Sequence, residues 1–214
     1  MTEYLIPTGY GEAELTEKRS RFIGHVWLTE TEEEATARIK EMREKYWDAT
    51  HNVYAYIIRE SNIMRYSDDG EPQGTSGMPT LNVFRGEGIQ NVCCVVTRYF
   101  GGTLLGTGGL VRAYSAAAKA ALEAAGISVV RLWKETVLAC KYSQYESIMR
   151  ELTNFSGIST DIDYGVDIMI TALLPEEKAE PFAKRVFDVT AGTVECEAVG
   201  ECFRAMPVTT GKAS

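Results

Sequence analysis

The fold is decided by residues 92–125, which read VCCVVTRYFGGTLLGTGGLVRAYSAAAKAALEAA. A short apolar run from Val92 to Val96 predicts a fully buried β-strand. Five glycines follow within nine positions, namely Gly101, Gly102, Gly106, Gly108 and Gly109. A helix is predicted directly behind them, because small and apolar residues recur at helical spacing from Leu110 to Ala125.

This strand, loop and helix form a candidate anion site. Glycine allows another group to approach the main chain closely. The N-terminus of a helix leaves unpaired N–H groups and a partial positive charge. Arg98 ends the strand, and Arg112 is expected in the first turn of the helix, so we expect both to reach the same anion. The five glycines and the two arginines are therefore candidate ligand-binding residues.

Neither of two common phosphate motifs fits this loop. Gly101 and Gly106 have the spacing of a P-loop, but Thr107 and Gly108 stand where that motif needs Lys and Ser or Thr. The dinucleotide fingerprint fails as well, because Val111 occupies the position of its third glycine. A tight loop whose glycines serve only chain reversal and helix packing therefore stays open as an alternative.

Composition and charge limit the class of protein. A chain of 214 residues suits one large or two small domains, and 45% hydrophobic residues indicate an ordinary globular protein. The net charge of −8 argues against a broad basic surface for duplex DNA, although a local basic groove is compatible with it. The sequence shows no membrane span and no signal-peptide pattern, so we expect a cytoplasmic protein that binds no membrane.

Cysteine and histidine usage argues against a metal centre built from these residues. The five cysteines lack CxxC spacing and are predicted to be small core residues. The only histidines are His25 and His51. His51 begins a predicted strand over 51–59, where a hydrogen-bonded structural role and a functional one both stay open.

A long, turn-rich loop over residues 67–79 is a second candidate site. It contains Asp68, Asp69 and Glu71, and clustered carboxylates suit a hard cation such as Mg²⁺. No other cofactor is expected. The alternative is that Asp68 and Asp69 form a turn beside Gly70. Pro79 is expected to occupy the first position of a helix that runs to about Gly86.

The remaining pattern predicts two domains. Strands over 10–17 and 20–28 precede a helix that begins with a capping box at Thr31 and Glu34. From about residue 135 the order is strand, helix, strand, strand, helix and strand, which is the ferredoxin-like split βαβ unit. Ser143 and Glu146 are expected to cap its first helix. The predicted domains are residues 1–130 and 135–206, followed by a polar tail.

Several long motifs resemble those of the IMPACT/YigZ family. They are Ser67-Asp-Asp-Gly-Glu-Pro72, Gly74-Thr-Ser-Gly-Met-Pro79, Val95-Val-Thr-Arg-Tyr-Phe-Gly-Gly102 and Leu105-Gly-Thr-Gly-Gly-Leu-Val-Arg-Ala-Tyr114, with His51 upstream. The resemblance covers essentially the whole chain. It implies an α+β protein with an N-terminal two-layer α/β sandwich, of the kind found in a small-subunit ribosomal protein and GHMP-type kinases. It also implies a C-terminal ferredoxin-like βαββαβ domain and a link to translation.

Three functions remain open at this point. The first is a translation-associated regulator that binds RNA, the ribosome or another anionic ligand beside Arg98, Arg112 and Lys119. The second is an enzyme acting on a nucleotide or a phosphorylated small molecule, with His51 or Asp69 as the base. The third is a protein-interaction module in which the glycine loop is only structural. No complete set of catalytic residues is visible in the sequence, and a shared fold does not establish chemistry.

Overall fold

The computed structural model describes residues 3–208. Its strands are β1 (Tyr4–Pro7), β2 (Gly11–Glu17), β3 (Ser20–Leu28), β4 (His51–Ile58), β5 (Ile63–Ser67), β6 (Val92–Tyr99), β7 (Ile127–Cys140), β8 (Ile158–Tyr164), β9 (Ile168–Pro175) and β10 (Cys196–Pro207). Its helices are α1 (Glu32–Lys45), α2 (Gly77–Gly86), α3 (Thr107–Ala125), α4 (Tyr142–Asn154) and α5 (Glu176–Val189). Within the described residues, no helix has both the length and the apolar character needed to cross a membrane.

The described residues form two compact units: residues 4–129 with 205–208, and residues 130–204 with residue 3. We predicted domains over 1–130 and 135–206; residues 1–2 and the tail from 209 onward lie outside the described residues. Both units combine a β-sheet with helices. The predicted α+β, two-domain fold is thereby confirmed.

The N-terminal unit is built around β6, the buried strand predicted from the sequence. Its antiparallel sheet has the order β2-β3-β6-β4-β5. Cys94 and Val96 of β6 share a core with α2 and α3, whereas Cys93 and Val95 pack with α1. Successive side chains of a strand point to opposite faces, so both faces of β6 are covered. Helix α1 therefore adds a layer to the expected two-layer sandwich.

Local sequence signals explain most of the N-terminal elements. Lys18 and Arg19 both have positive φ, as a two-residue turn between β2 and β3 requires. The Thr31 hydroxyl accepts the Glu34 N–H, and the Glu34 side chain accepts the Glu30 N–H, which confirms the predicted helix start. Helix α2 begins two residues before Pro79, so that proline is not at its first position. Strand β5 was not predicted; it pairs with β4 through main-chain hydrogen bonds that its sequence does not signal.

The C-terminal unit has the predicted ferredoxin-like connectivity. Strands β7, β9 and β8 lie side by side, and β10 pairs with β7. Helices α4 and α5 pack on this sheet through Ile148, Leu152, Phe182 and Val186. The expected Ser143 cap was wrong, because α4 begins at Tyr142 and the Gln144 side chain accepts the N–H of Lys141.

Candidate functional site

Two cavities flank the start of α3. The first, the histidine cavity, has a volume of about 460 Å³. It is lined by Thr50, His51, Gly70, Glu71, Pro72, Arg98, Phe100, Leu104, Leu105, Gly106, Thr107 and Leu110. The second, the basic cavity, has a volume of about 240 Å³ and is lined by Leu15, Glu17, Lys18, Leu105, Gly109, Arg112, Ala113 and Ala116. Leu105 is a wall of both cavities.

A buried ion pair lies at the histidine cavity. The side chains of Glu71 and Arg98 are only 3% and 6% exposed, and Arg98 Nη1 donates to Glu71 Oε1 at 2.5 Å. The Tyr114 hydroxyl donates to the same oxygen at 2.8 Å. Burial and the negative charge of Glu71 raise the pKa of Tyr114, so its hydroxyl keeps its proton. The positive charge of Arg98 is therefore compensated inside the protein.

The rest of the Arg98 side chain is also held by the protein. Arg98 Nη2 donates to Ser20 Oγ at 3.3 Å. The rings of Phe22 and Phe100 have their centroids 5.4 and 5.5 Å from the guanidinium carbon, which is within cation–π range. Among the described residues, Arg98 Nε has no hydrogen-bond partner. Arg98 is consequently a rigid part of the cavity wall, not a free surface cation.

His51 is oriented by the loop that follows β5. Its Nδ1 lies 2.8 Å from the carbonyl oxygen of Asp69. A carbonyl only accepts, so we assign the proton to Nδ1, which leaves Nε2 as an acceptor in the neutral ring. His51 Nε2 lies 3.8 Å from Glu71 Oε2, too far for a hydrogen bond. Both residues line the histidine cavity.

The loop carboxylates Asp68 and Asp69 serve to fix the loop. Asp68 accepts the N–H groups of Gly74, Ser76 and Gly77 and the Ser76 hydroxyl. Burial raises the pKa of Asp68, but these hydrogen bonds outweigh it and lower the pKa below its usual value. The same bonds satisfy amides at the start of α2, which explains why this helix begins before Pro79.

Asp69 and Glu71 have separate partners, so the three carboxylates do not form one cluster. Asp69 accepts from Arg43 Nη2 at 2.8 Å and from the N–H of Asn52 at 2.7 Å, whereas Glu71 faces Arg98. Over residues 3–208, no group of three or more His, Cys, Asp or Glu residues is arranged to hold a metal ion. Mg²⁺ stays an expectation from the sequence alone.

The start of α3 provides main-chain donors. Gly106 precedes the helix with φ 72°, a conformation that favours glycine, and its carbonyl accepts the Leu110 N–H. In the described part of the chain, the N–H groups of Thr107, Gly108 and Gly109 have no protein acceptor. Gly106 and Thr107 line the histidine cavity. The amides and the helix dipole there favour an anion.

The structure places Arg98 and Arg112 at different cavities, which contradicts the expectation that they reach the same anion. Arg98 lines the histidine cavity and Arg112 the basic cavity. Helix α3 begins at Thr107, so Arg112 lies in its second turn, not in its first. Lys119 lies further along the helix and pairs with Glu87 at 3.8 Å. Within residues 3–208, neither Lys18 nor Arg112 forms an ion pair, although Glu17 also lines their cavity.

The five glycines do not act as one anion cradle. Gly106 lines the histidine cavity and Gly109 lines the basic cavity, whereas Gly101, Gly102 and Gly108 are not among the lining residues of either. Gly101 is needed for packing, because a Cβ there would lie 2.0 Å from the carbonyl carbon of Arg19. The structural alternative thus holds for Gly101, and the anion hypothesis is confined to the amides at the helix start.

The predicted site residues did not include Phe100 and Leu104, which line the histidine cavity, or Ser20 and Tyr114, which hold its wall residues Arg98 and Glu71. Tyr114 stands on the apolar face of α3, where a tyrosine signals a buried hydroxyl that needs a partner. Phe100 and Leu104 carry another signal, because large apolar residues in a glycine-rich loop are not expected to be buried in a hydrophobic core. They are 46% and 82% exposed and form an apolar rim at the cavity.

Comparisons with known proteins match both units. A family model for the Impact N-terminal domain matches residues 18–122, and a model for a domain of unknown function, DUF1949, matches residues 138–193. The chain is 35% identical to "IMPACT family member YvyE" of Bacillus subtilis, over 85% of this chain and 84% of that protein. It is 33% identical to "IMPACT family member YigZ" of Escherichia coli, over 94% of this chain and 100% of that protein.

A more distant relative and a solved structure also match the chain. "Protein IMPACT" of Mus musculus is 34% identical over 49% of this chain and 34% of its own length, so only part of that protein corresponds. A crystal structure described as that of "an hypothetical protein" has 33% sequence identity and a TM-score of 0.58, with 94% of this chain and 98% of that chain covered. These matches indicate common ancestry and name no ligand.

Proposed function

The chain belongs to the IMPACT family, and we propose that its N-terminal unit binds a phosphate-bearing, nucleotide-type ligand in the histidine cavity as part of a regulatory role in translation. The observation that carries this proposal is the meeting of free main-chain amides, His51 and an exposed apolar rim at one cavity. The link to translation is supported only by the family resemblance.

The chemistry of the cavity favours a ligand with an anionic end and an apolar body. The main-chain N–H of Thr107 favours binding of the anionic end, and Phe100 and Leu104 offer apolar surface for a nucleotide base. The volume of about 460 Å³ lies within the range typical of small-molecule sites. A net charge of −8 disfavours long-range attraction of a large polyanion, so a local contact fits better than a duplex.

Substitutions at the basic cavity can show whether the ligand is RNA or the ribosome, or instead a mononucleotide. Lys18 and Arg112 lie beyond Leu105, where they could meet a second phosphate of a longer strand. If the ligand is single-stranded RNA, Arg112→Ala should weaken its binding and reduce the salt dependence, while leaving mononucleotide binding unchanged. Arg85→Ala is the matched control, because Arg85 is an exposed arginine of the same unit that lines neither cavity.

Calorimetric titration with adenosine, adenosine 5′-monophosphate and a 5′-phosphorylated RNA tetranucleotide tests the proposal. We expect the two phosphorylated ligands to bind more tightly than adenosine. Thr107→Pro removes one main-chain N–H at a helix position that tolerates proline. It should weaken the binding of the phosphorylated ligands by at least about threefold and leave the binding of adenosine unchanged. Equal affinities for adenosine and its monophosphate, or no binding at all, would contradict the proposal and favour a protein-interaction module.

A second candidate function is an enzyme that acts on a phosphorylated small molecule. It is favoured by the orientation of His51, whose Nδ1 is held by Asp69 while Nε2 remains beside Glu71 at the cavity. In that arrangement Nε2 is the candidate base. Phosphorus NMR of the protein incubated with nucleotides and sugar phosphates, with and without Mg²⁺, tests this. Product formation that His51→Gln abolishes without loss of ligand binding would establish catalysis, and unchanged substrates would restrict the cavity to binding.

A further inference from the structure

The C-terminal unit carries a groove of about 670 Å³ between α5 and β10, which we call the α5–β10 groove. Ala179 and Ala183 lie one turn apart on α5, and Ala198 lies on β10; all three line the groove. Side chains this small do not fill the space between the helix and the strand, so the groove is open to another chain.

Strand β10 offers main-chain groups along the same groove. It has 12 residues, and within the described part of the chain its only strand partner is β7. One edge of β10 is therefore unpaired, and alternate N–H and C=O groups along it can accept another strand. A strand added at this edge extends the sheet, and every second side chain of it then faces the α5 side of the sheet.

The rim of the groove is acidic. Glu176, Glu180 and Glu201 line it together with a single lysine, Lys134. Lys134 Nζ lies 2.6 Å from Glu201 and 3.7 Å from Glu176, so it already serves two of the carboxylates. Among the described residues, Glu180 has no ion-pair partner. The charged groups lining the groove sum to −2, that is, three glutamates and one lysine.

We propose that the α5–β10 groove binds an extended, basic peptide segment of a partner protein, which adds as a strand to β10. Main-chain hydrogen bonds to β10 would supply affinity, and lysine or arginine side chains reaching Glu180 would supply specificity. A second copy of this chain does not fit as well, because pairing two β10 edges brings two acidic rims together. This proposal does not depend on the histidine cavity.

NMR titration of the full chain with a capped octapeptide of alternating lysine and valine tests the proposal. We expect shifts and slower hydrogen exchange for the β10 amides at low salt. An octapeptide with glutamate in place of lysine is one control, and the lysine peptide with N-methyl groups on alternate amides is another; neither should bind. Glu180→Lys should weaken binding about tenfold. Glu197→Lys makes the same change of charge on β10, at an exposed position that does not line the groove. It should change the affinity less than about twofold.

Each remaining outcome overturns the proposal. No shifts with about 2 mM peptide would show that the edge does not accept a strand. Equal binding of the acidic peptide, or equal effects of Glu180→Lys and Glu197→Lys, would show that the acidic rim plays no part. Sedimentation that reveals a dimer broken by Glu180→Lys would assign the groove to a second copy of the chain.

Discussion

The substitution Glu71→Gln provides a direct test of how Arg98 is held. Glutamine keeps the size of the side chain and can still accept from Tyr114, but it removes the charge opposite the Arg98 guanidinium. Both side chains are more than nine-tenths buried, so Arg98 would become an uncompensated buried cation. Breaking a buried pair in this way costs about 3–5 kcal/mol. Native-state hydrogen exchange of the β6 amides measures this loss within the N-terminal unit alone.

Glu14→Gln is the matched control for this experiment. Glu14 also faces an arginine, Arg21, at 2.7 Å, but these two side chains are 45% and 51% exposed. An exposed pair contributes at most about 1 kcal/mol, so Glu14→Gln should have a much smaller effect. Adding Arg98→Met to Glu71→Gln should restore stability, because it removes the unpaired charge. Equal losses for Glu71→Gln and Glu14→Gln would refute the account of a buried, charge-compensated Arg98.

Glycine substitutions, the pH dependence of stability and the reactivity of the cysteines provide three further tests. Gly101→Ala should cost about 3 kcal/mol in the free energy of unfolding, because its Cβ would overlap the main chain of the β2–β3 turn. Gly108→Ala should cost nothing or stabilise α3 by up to about 1 kcal/mol, because its Cβ would meet only Arg112 Nη1, at an ordinary contact distance of 3.7 Å. Burial lowers the pKa of His25 from 6.5 to about 4, although the nearby Glu12 acts to raise it. Between pH 4 and 6.5 the unfolded chain binds a proton at His25 that the folded chain does not. The contribution of His25 to the free energy of unfolding should therefore be complete above pH 6.5 and fall by about 3 kcal/mol towards pH 4. Urea unfolding measures this dependence, and His25→Phe should flatten it. With Ellman's reagent, exposed Cys202 should react quickly, while the buried cysteines of β6 should not react until the chain unfolds.

Much of the fold could be predicted because it depends on local signals. The apolar run of β6 and the helix cap at Thr31 each encode their element within a few residues. Strand β5 and the start of α2 could not be predicted in this way. They depend on pairing with β4 and on hydrogen bonds to Asp68, which are formed only in the folded chain.

The candidate site was predicted less well than the fold. The sequence pointed to the loop before α3 as a candidate site, but it treated Arg98 as a free cation. What decides its role is Glu71, which is 27 residues away in the chain, and such a pairing has no signature in either segment. Arg112 was placed one helical turn too early, because glycines at a helix start leave its first residue undefined by sequence pattern.

The proposed function depends on binding of a phosphate group at the amides that begin α3. Proton–nitrogen NMR titration with adenosine 5′-monophosphate observes those amides directly. We expect the largest shifts at Gly106 and Thr107, the residues of the helix start that line the histidine cavity, and we expect that adenosine does not reproduce them. Saturating shifts confined to other parts of the chain, or identical shifts with adenosine, would contradict it.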